Sequence, residues 1–205
     1  MLRSIAVACF SLLLLCCTSG CDDADASNLR IKLNADFSGT VRATRLVIPT
    51  QPGQAMSSTT GVTWTAAAQV MSIAGSFPNI NEVRVEDITF SGERTPKGLR
   101  ILRVTMPRGP EARWPAALTM PNKDKRRETN DALNPDQKAS RLGSIVEISI
   151  ELPFPPVSQG VSPQNSAIKA SAEKNTVTLS VSVDAGMKAG AEIVWDITWN
   201  EPAPK

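Results

Sequence analysis

Six basic residues crowd one short stretch of this sequence: Arg94, Lys97, Arg100, Arg103, Arg108 and Arg113 fall within 20 residues, against only Glu93 and Glu111. A guanidinium presents its N–H groups as a rigid fork that matches the paired oxygens of a phosphate or carboxylate. The stretch is therefore suited to an anionic partner, and Arg100, Arg103 and Arg108 are its candidate contacts with an anionic surface. Charge along the chain points the same way, since residues 29–141 hold 17 basic against 10 acidic side chains and residues 142–205 hold 4 against 7. The competing reading is a set of ordinary solvated arginines on a hairpin.

Other chemistries find less support. Histidine is absent, and all four cysteines (Cys9, Cys16, Cys17, Cys21) lie in the first 21 residues. A chain shortened to start at Cys21 could run neither Ser-His-Asp nor Cys-His catalysis, nor build a zinc site from His or Cys. Ser166 with Lys169, and Ser171 with Lys174, fit the S-x-x-K spacing in which a lysine activates a serine, but no K-T-G segment and no helical pattern accompany them. Glu86 with Asp87, and Glu147 with Glu151, are the nominal pairs for glycoside hydrolysis. Glu147 and Glu151 share a strand face with Ser149, opposite the apolar face, where solvated carboxylates are ordinary. The sequence has neither a glycine-rich phosphate loop nor an acidic calcium loop. The expectation is a non-enzymatic protein without catalytic residues, metal or cofactor.

Cys21 has a chemistry of its own. Arg3 gives the start a positive charge, Ile5–Cys17 is an apolar run of 13 residues broken only by Ser11, and Thr18, Ser19 and Gly20 are small. That is the layout of a secretory signal peptide over residues 1–20, too short for the roughly 20 apolar residues of a membrane-spanning helix. The ending Thr18-Ser19-Gly20-Cys21 resembles the lipobox of bacterial lipoproteins, although Thr18 stands where that family prefers leucine. The resemblance implies cleavage before Cys21 and acylation of its thiol. It would also remove the liability of one free thiol in an exported protein. Each acyl chain would add about 0.8 kcal/mol of anchoring per buried CH₂. The alternative is simple cleavage after Gly20. On the lipobox reading, residues 21–28 form a lipidated tether, with a reach of only ~25 Å even when fully extended. Asp22 sits where enterobacterial lipoproteins carry a signal that resembles inner-membrane retention. Export makes nucleic acid an improbable partner.

The elements that would carry these residues are mostly strands. Leu29, Ile31 and Leu33 alternate with Arg30, Lys32 and Asn34, and the chain resumes at 40–48, which predicts a hairpin with Gly39 supplying the turn conformation. Residues 49–60 read as a turn-rich loop. Trp64, Ala67, Ala68 and Met71 fall at i, i+3, i+4 and i+7, which predicts a helix over 63–74 stopped by Gly75 and Pro78. Val83 and Val85 change phase to Ile88 and Phe90, suggesting a bulge at Glu86-Asp87, and 99–106 completes a second hairpin. Pro110 and Pro115 limit 107–121 to about one helical turn. Residues 122–137 have almost nothing apolar to offset their ordering entropy, so 122–141 is expected to be an exposed excursion. Near the end, Val146, Ile148, Ile150 and Leu152, then Val177, Leu179, Val181 and Val183, then Ala191, Ile193, Trp195, Ile197 and Trp199 alternate with mostly polar residues. These are strands with one dry and one wet face. A proline-rich connection at 153–163 and a turn at 184–190 separate them.

With no tyrosine, four tryptophans and five phenylalanines, the core must be mainly aliphatic. The expected fold is α+β: residues 29–205 form a single domain, an antiparallel sheet of about six or seven strands with one main helix on one face. A lipidated cysteine, short tether, early hairpin and late alternating strands are loosely similar to the LppM-type lipoprotein domain of actinobacteria, over 29–106 and 144–199. That likeness is architectural and implies binding of lipid or glycolipid. The sequence thus reads as an envelope lipoprotein, anchored in the cell membrane and facing the periplasm or cell exterior. It would bind or help assemble an envelope lipid or protein. A purely structural envelope subunit and a small carboxylate-based enzyme are the alternatives.

Overall fold

Alternating apolar residues bury one face of each strand, and here they do so in two sheets rather than one. The computed structural model describes residues 28–46, 62–64, 69–120, 122–127 and 143–201. The signal peptide, Cys21 and nearly all of the tether lie outside the described residues. The strands are β1 (Asn28–Leu33), β2 (Gly39–Leu46), β3 (Val62–Trp64), β4 (Gln69–Phe77), β5 (Arg84–Val85), β6 (Ile88–Arg94), β7 (Leu99–Met106), β8 (Ile145–Glu151), β9 (Pro156–Ser162), β10 (Ile168–Glu173), β11 (Thr176–Ser182) and β12 (Ile193–Asn200). Helical structure among the described residues is limited to a 3₁₀ turn at Ile80–Glu82 and three single turns, α1 (Trp114–Leu118), α2 (123–127) and α3 (Val183–Met187).

The larger sheet runs β10-β11-β8-β1-β2-β4-β3 and the smaller β5-β6-β7-β12-β9. All pairings are antiparallel except that of β1 with β8. One hydrophobic cluster joins the inward residues of both sheets: Leu29, Ile31 and Leu33 of β1, Ile148 and Ile150 of β8 and Leu179 of β11 from one side, with Leu102 and Val104 of β7 and Trp195, Ile197 and Trp199 of β12 from the other. The architecture is a β-sandwich, with the core between the two layers. The expected fold class is met in its β-rich, mainly antiparallel character; the single sheet under one principal helix is not what forms.

The expected helix at 63–74 is the clearest correction. Its described residues are extended, with β3 paired to β4 and β4 paired to β2 from Gly39↔Phe77 to Leu46↔Val70. Val62, Thr63, Thr65, Val70 and Ile73 are β-branched and lose side-chain freedom in a helix. A neighbouring strand offering eight register positions outweighs a helical spacing carried largely by two alanines. Glu86-Asp87 is likewise a tight turn between β5 and β6 rather than a bulge: Arg84 and Val85 face Thr89 and Ile88, and Glu86 has φ 55°. The proline-rich connection contains β9, at the edge of the small sheet, where a strand can begin with Pro156 because no neighbour needs its missing N–H.

Gly39 is required for a different reason from the one expected. The residue with positive φ in the first hairpin is Phe37 (67°), held by Ser38 N–H and Oγ–H bonds to Asp36 Oδ1 (3.0 and 2.6 Å) and by Ile80 N–H donating to the Phe37 carbonyl (2.8 Å). A Cβ on Gly39 would overlap the Lys32 carbonyl and the ring of Phe77. Only hydrogen fits that approach. Asp36 is held below its usual carboxylate range by the same Ser38 hydrogen bonds.

In the stretch expected to be an exposed excursion, 122–127 is described and 128–141 lies outside the described residues. Residues 122–125 and 127 are exposed, but Arg126 is buried, donating to the Met120 carbonyl (2.7 Å) and to Asp184 Oδ1 at the start of α3 (2.6 Å). An arginine thus docks a segment that lacks apolar anchors.

Candidate functional site

The predicted basic surface does not assemble. Alternation along β7 sends Arg100 to the inner face and Arg103 to the outer one. Arg100 is 8% exposed, lies 5.1 Å from the centroid of the Phe37 ring and donates to Glu201 Oε2 through Nη2 (2.8 Å) and Nε (3.3 Å). Phe37 in turn meets Trp199 edge to face at 5.8 Å. The Arg100 hydrogen bond, aided by the charges of Arg100 and Arg94, holds the Glu201 carboxyl below its usual range. Arg103 makes a two-point contact with Asp196 on β12 (2.7 and 2.9 Å), which raises its pKa. Arg108 donates to the carbonyls of Ala185 (3.1 Å) and Ala191 (3.5 Å). All three guanidinium groups are engaged within the fold, and Arg100 and Arg103 lie on opposite faces of β7.

The carboxylates have structural duties as well. Asp87 accepts the backbone N–H groups of Arg113 and Trp114 (2.7 and 2.8 Å) and so caps α1. Its neighbour Glu86 is exposed in the turn. Glu147 accepts from Ser180 (3.1 Å), and Glu151 pairs with Lys32 (2.8 Å). Ser171 and Lys169 lie on β10, and Lys174 has φ 52° in the turn between β10 and β11. Ser166 lies in the turn before β10, so each S-x-x-K pair has one member on the strand and one in a turn, not the helical turn on which that spacing relies.

A different group of cations does come together, on the outer face of the large sheet. Arg30 of β1 lies directly opposite Arg42 of β2 in the antiparallel register. Across the same row Arg30 faces Ser149 of β8, and Arg42 faces Ala74 of β4. One row further along, Lys32 stands between Thr40 and Glu151. Inward-facing Leu29, Ile31 and Leu33 of β1 force Arg30 and Lys32 outward; Arg30, Lys32 and Arg42 are exposed. Small flanking side chains leave a groove of about 780 Å³, lined by Arg30, Lys32, Thr40, Arg42, Ser149 and Thr176 among others, with Glu151 its one carboxylate. Gly75 and Ala74 keep the β4 side low.

Two guanidinium groups directly opposite on neighbouring strands repel each other. An anion beside them relieves that repulsion, and the exposed Arg30 fork is shaped to grip one. Arg30 forms no ion pair among the described residues. The groove is lined by more cations than carboxylates; among the described residues no cluster of His, Cys, Asp or Glu is suited to a metal ion. The chain matches no family model, no curated protein and no solved structure.

Sequence grouping missed Arg30 and Arg42 because they are 12 positions apart. The signal was the hairpin itself: both lie six residues from Asp36, the middle of the 34–38 loop, so closing the turn brings them face to face.

Proposed function

We propose that this protein is a membrane-anchored envelope lipoprotein, acylated on Cys21, and that its β-sandwich is a non-enzymatic binding module for an anionic group of an envelope lipid or protein. The observation that carries the binding half is the Arg30–Arg42 pair in its groove of small polar residues. The anchoring half is supported by the signal-like start and the small residues before Cys21. Among the described residues, no helix is long and apolar enough to cross a membrane. A purely structural subunit that stacks through sheet edges is less favoured at β9. That edge begins with a proline, and its register shifts between Thr198 and Trp199 of β12, as in edges that resist further pairing.

Labelled palmitate fed to a bacterial host should enter the wild-type protein, and Cys21→Ser should abolish incorporation and leave the unprocessed precursor. A wild type that is unlabelled and soluble would overturn the lipoprotein reading.

A further inference from the structure

We propose that β10 is a pairing edge for a second copy of this chain: two copies join antiparallel through it into one continuous sheet, with Lys169 of each opposite Glu173 of the other.

A sheet edge exposes backbone N–H and C=O groups, and edges that stay single are guarded by shortness, proline or irregular register. Among the edge strands described, β3 has three residues and β5 two, while β9 opens with Pro156 and shifts register between Thr198 and Trp199 of β12. β10 carries none of these guards. Its six residues contain no proline and keep an unbroken register with β11, from Ile168↔Val181 to Glu173↔Thr176.

The hydrogen bonds beside that edge decide which groups it offers. Ser182 N–H donates to the Ala167 carbonyl (2.9 Å), so residues 167, 169, 171 and 173 are the ones bonded to β11. The N–H and C=O groups of Ala170 and Ala172 therefore point out of the sheet. In the proposed pairing, Ala170 of each copy exchanges both bonds with Ala172 of the other about a two-fold axis.

Side chains select that register. It sets Ser171 opposite Ser171 at the axis and Lys169 opposite Glu173 on either side of it, all on the outer face. A slip of two residues either way puts Ser171 opposite Lys169 or opposite Glu173 and loses both charge pairs. Within one chain Lys169 and Glu173 stand about 13 Å apart along the strand, and their neighbours across β11 are Ser180 and Thr176. Both charged residues are exposed, and neither forms an ion pair among the described residues. On the inner face alanine meets alanine, small enough for two edges to close. A contact of this self-complementary kind ends at two copies instead of growing into a filament. Its axis stands perpendicular to the joined sheet, so Arg30 of both copies faces the same side.

Cysteine cross-linking in the full chain reads the register directly. Two Ser171→Cys thiols would meet across the axis at a non-hydrogen-bonded position, where Cα atoms lie about 4.5 Å apart, within disulfide reach. The chain is expressed in a bacterial host and both membrane and soluble fractions are oxidised with copper phenanthroline. Wild type on the same non-reducing gel controls for the four native cysteines. Ser171→Cys should give a covalent dimer. Lys169→Cys alone and Glu173→Cys alone should give about tenfold less, because each lies more than about 13 Å from its own counterpart; co-expressed, the two should cross-link to each other. On the Ser171→Cys background, Lys169→Glu or Glu173→Lys sets like charges opposite each other and should cut the dimer about tenfold. Combining the two exchanges the charges and should restore it, which also shows that the single variants fold. A dimer no stronger with Ser171→Cys than with either flanking cysteine alone, or a double exchange no better than the single ones, overturns the proposal. With both fractions oxidised, the outcome does not depend on acylation of Cys21.

Discussion

On the small sheet and its borders, Arg100 lies over Phe37 against Glu201, Arg103 is clasped by Asp196, and Arg108 is spent on carbonyls. On the outer face of the large sheet, Arg30 is instead set opposite another arginine, with serine and alanine as the flanking neighbours of the pair. The side-chain type is the same in both places and the work differs. Where a carboxylate or carbonyl is supplied by the fold, arginine is a fastener; Arg30, which forms no ion pair among the described residues, is not fastened in that way. Crowding of arginines along a sequence does not distinguish the two cases.

Three measurements test that contrast. Arg100→Ala should have the largest effect, because it removes a shielded cation from the Phe37 ring together with a buried aliphatic stem. About 2 kcal/mol of stability should be lost in urea unfolding, and an unchanged midpoint would put Arg100 among the uncommitted arginines. A smaller effect is expected from acid. Glu201 titrates below its ordinary value of 4.5 in the folded chain, chiefly because of the Arg100 hydrogen bond. Its contribution is therefore fully present above that value and is lost as pH falls through the lowered one. Unfolding midpoints between pH 7 and pH 3 should show the wild type converging on Glu201→Gln as pH falls; parallel curves would remove the carboxylate from the account. Smallest of all, Arg30→Gln should relieve a cross-strand repulsion and raise stability by about 0.3 kcal/mol. A loss above about 1 kcal/mol would make Arg30 another fastener.

Much of the fold was legible where one face of a strand is wet. The alternation in 29–33, 146–152, 177–183 and 193–199 predicts β1, β8, β11 and β12, and the hairpin of β1 with β2 follows from its turn. Alternation gives a strand's faces but not its sheet. Trp199 and Ile148 read alike in sequence yet line opposite walls of the core, which is why two sheets were read as one. The 63–74 segment was misread because one turn of helical spacing is a local signal, whereas pairing with β2 is not local. Parity along β7 already separated Arg100 from Arg103, since three residues on a strand reverse the face. The partners Glu201 and Asp196, about a hundred positions away, were beyond any local pattern. Arg126 was invisible for a related reason: its segment has no apolar periodicity, and its hold on the fold is an ion pair with Asp184.

The one parallel pairing, β1 with β8, bears on the order in which the chain can fold. Ile31 and Ile150 are matched across 119 residues of sequence, so β1 keeps an open edge until the chain through β8 has been delivered. Closing so long a loop is slow compared with forming the neighbouring hairpin. In a chain secreted from its N-terminus, the half of the groove on β1 and β2 can form early, while Ser149 and Thr176 arrive last. A protein fastened at Cys21 would then be held at the membrane before its binding face was complete, and only the chain's last third would switch that face on.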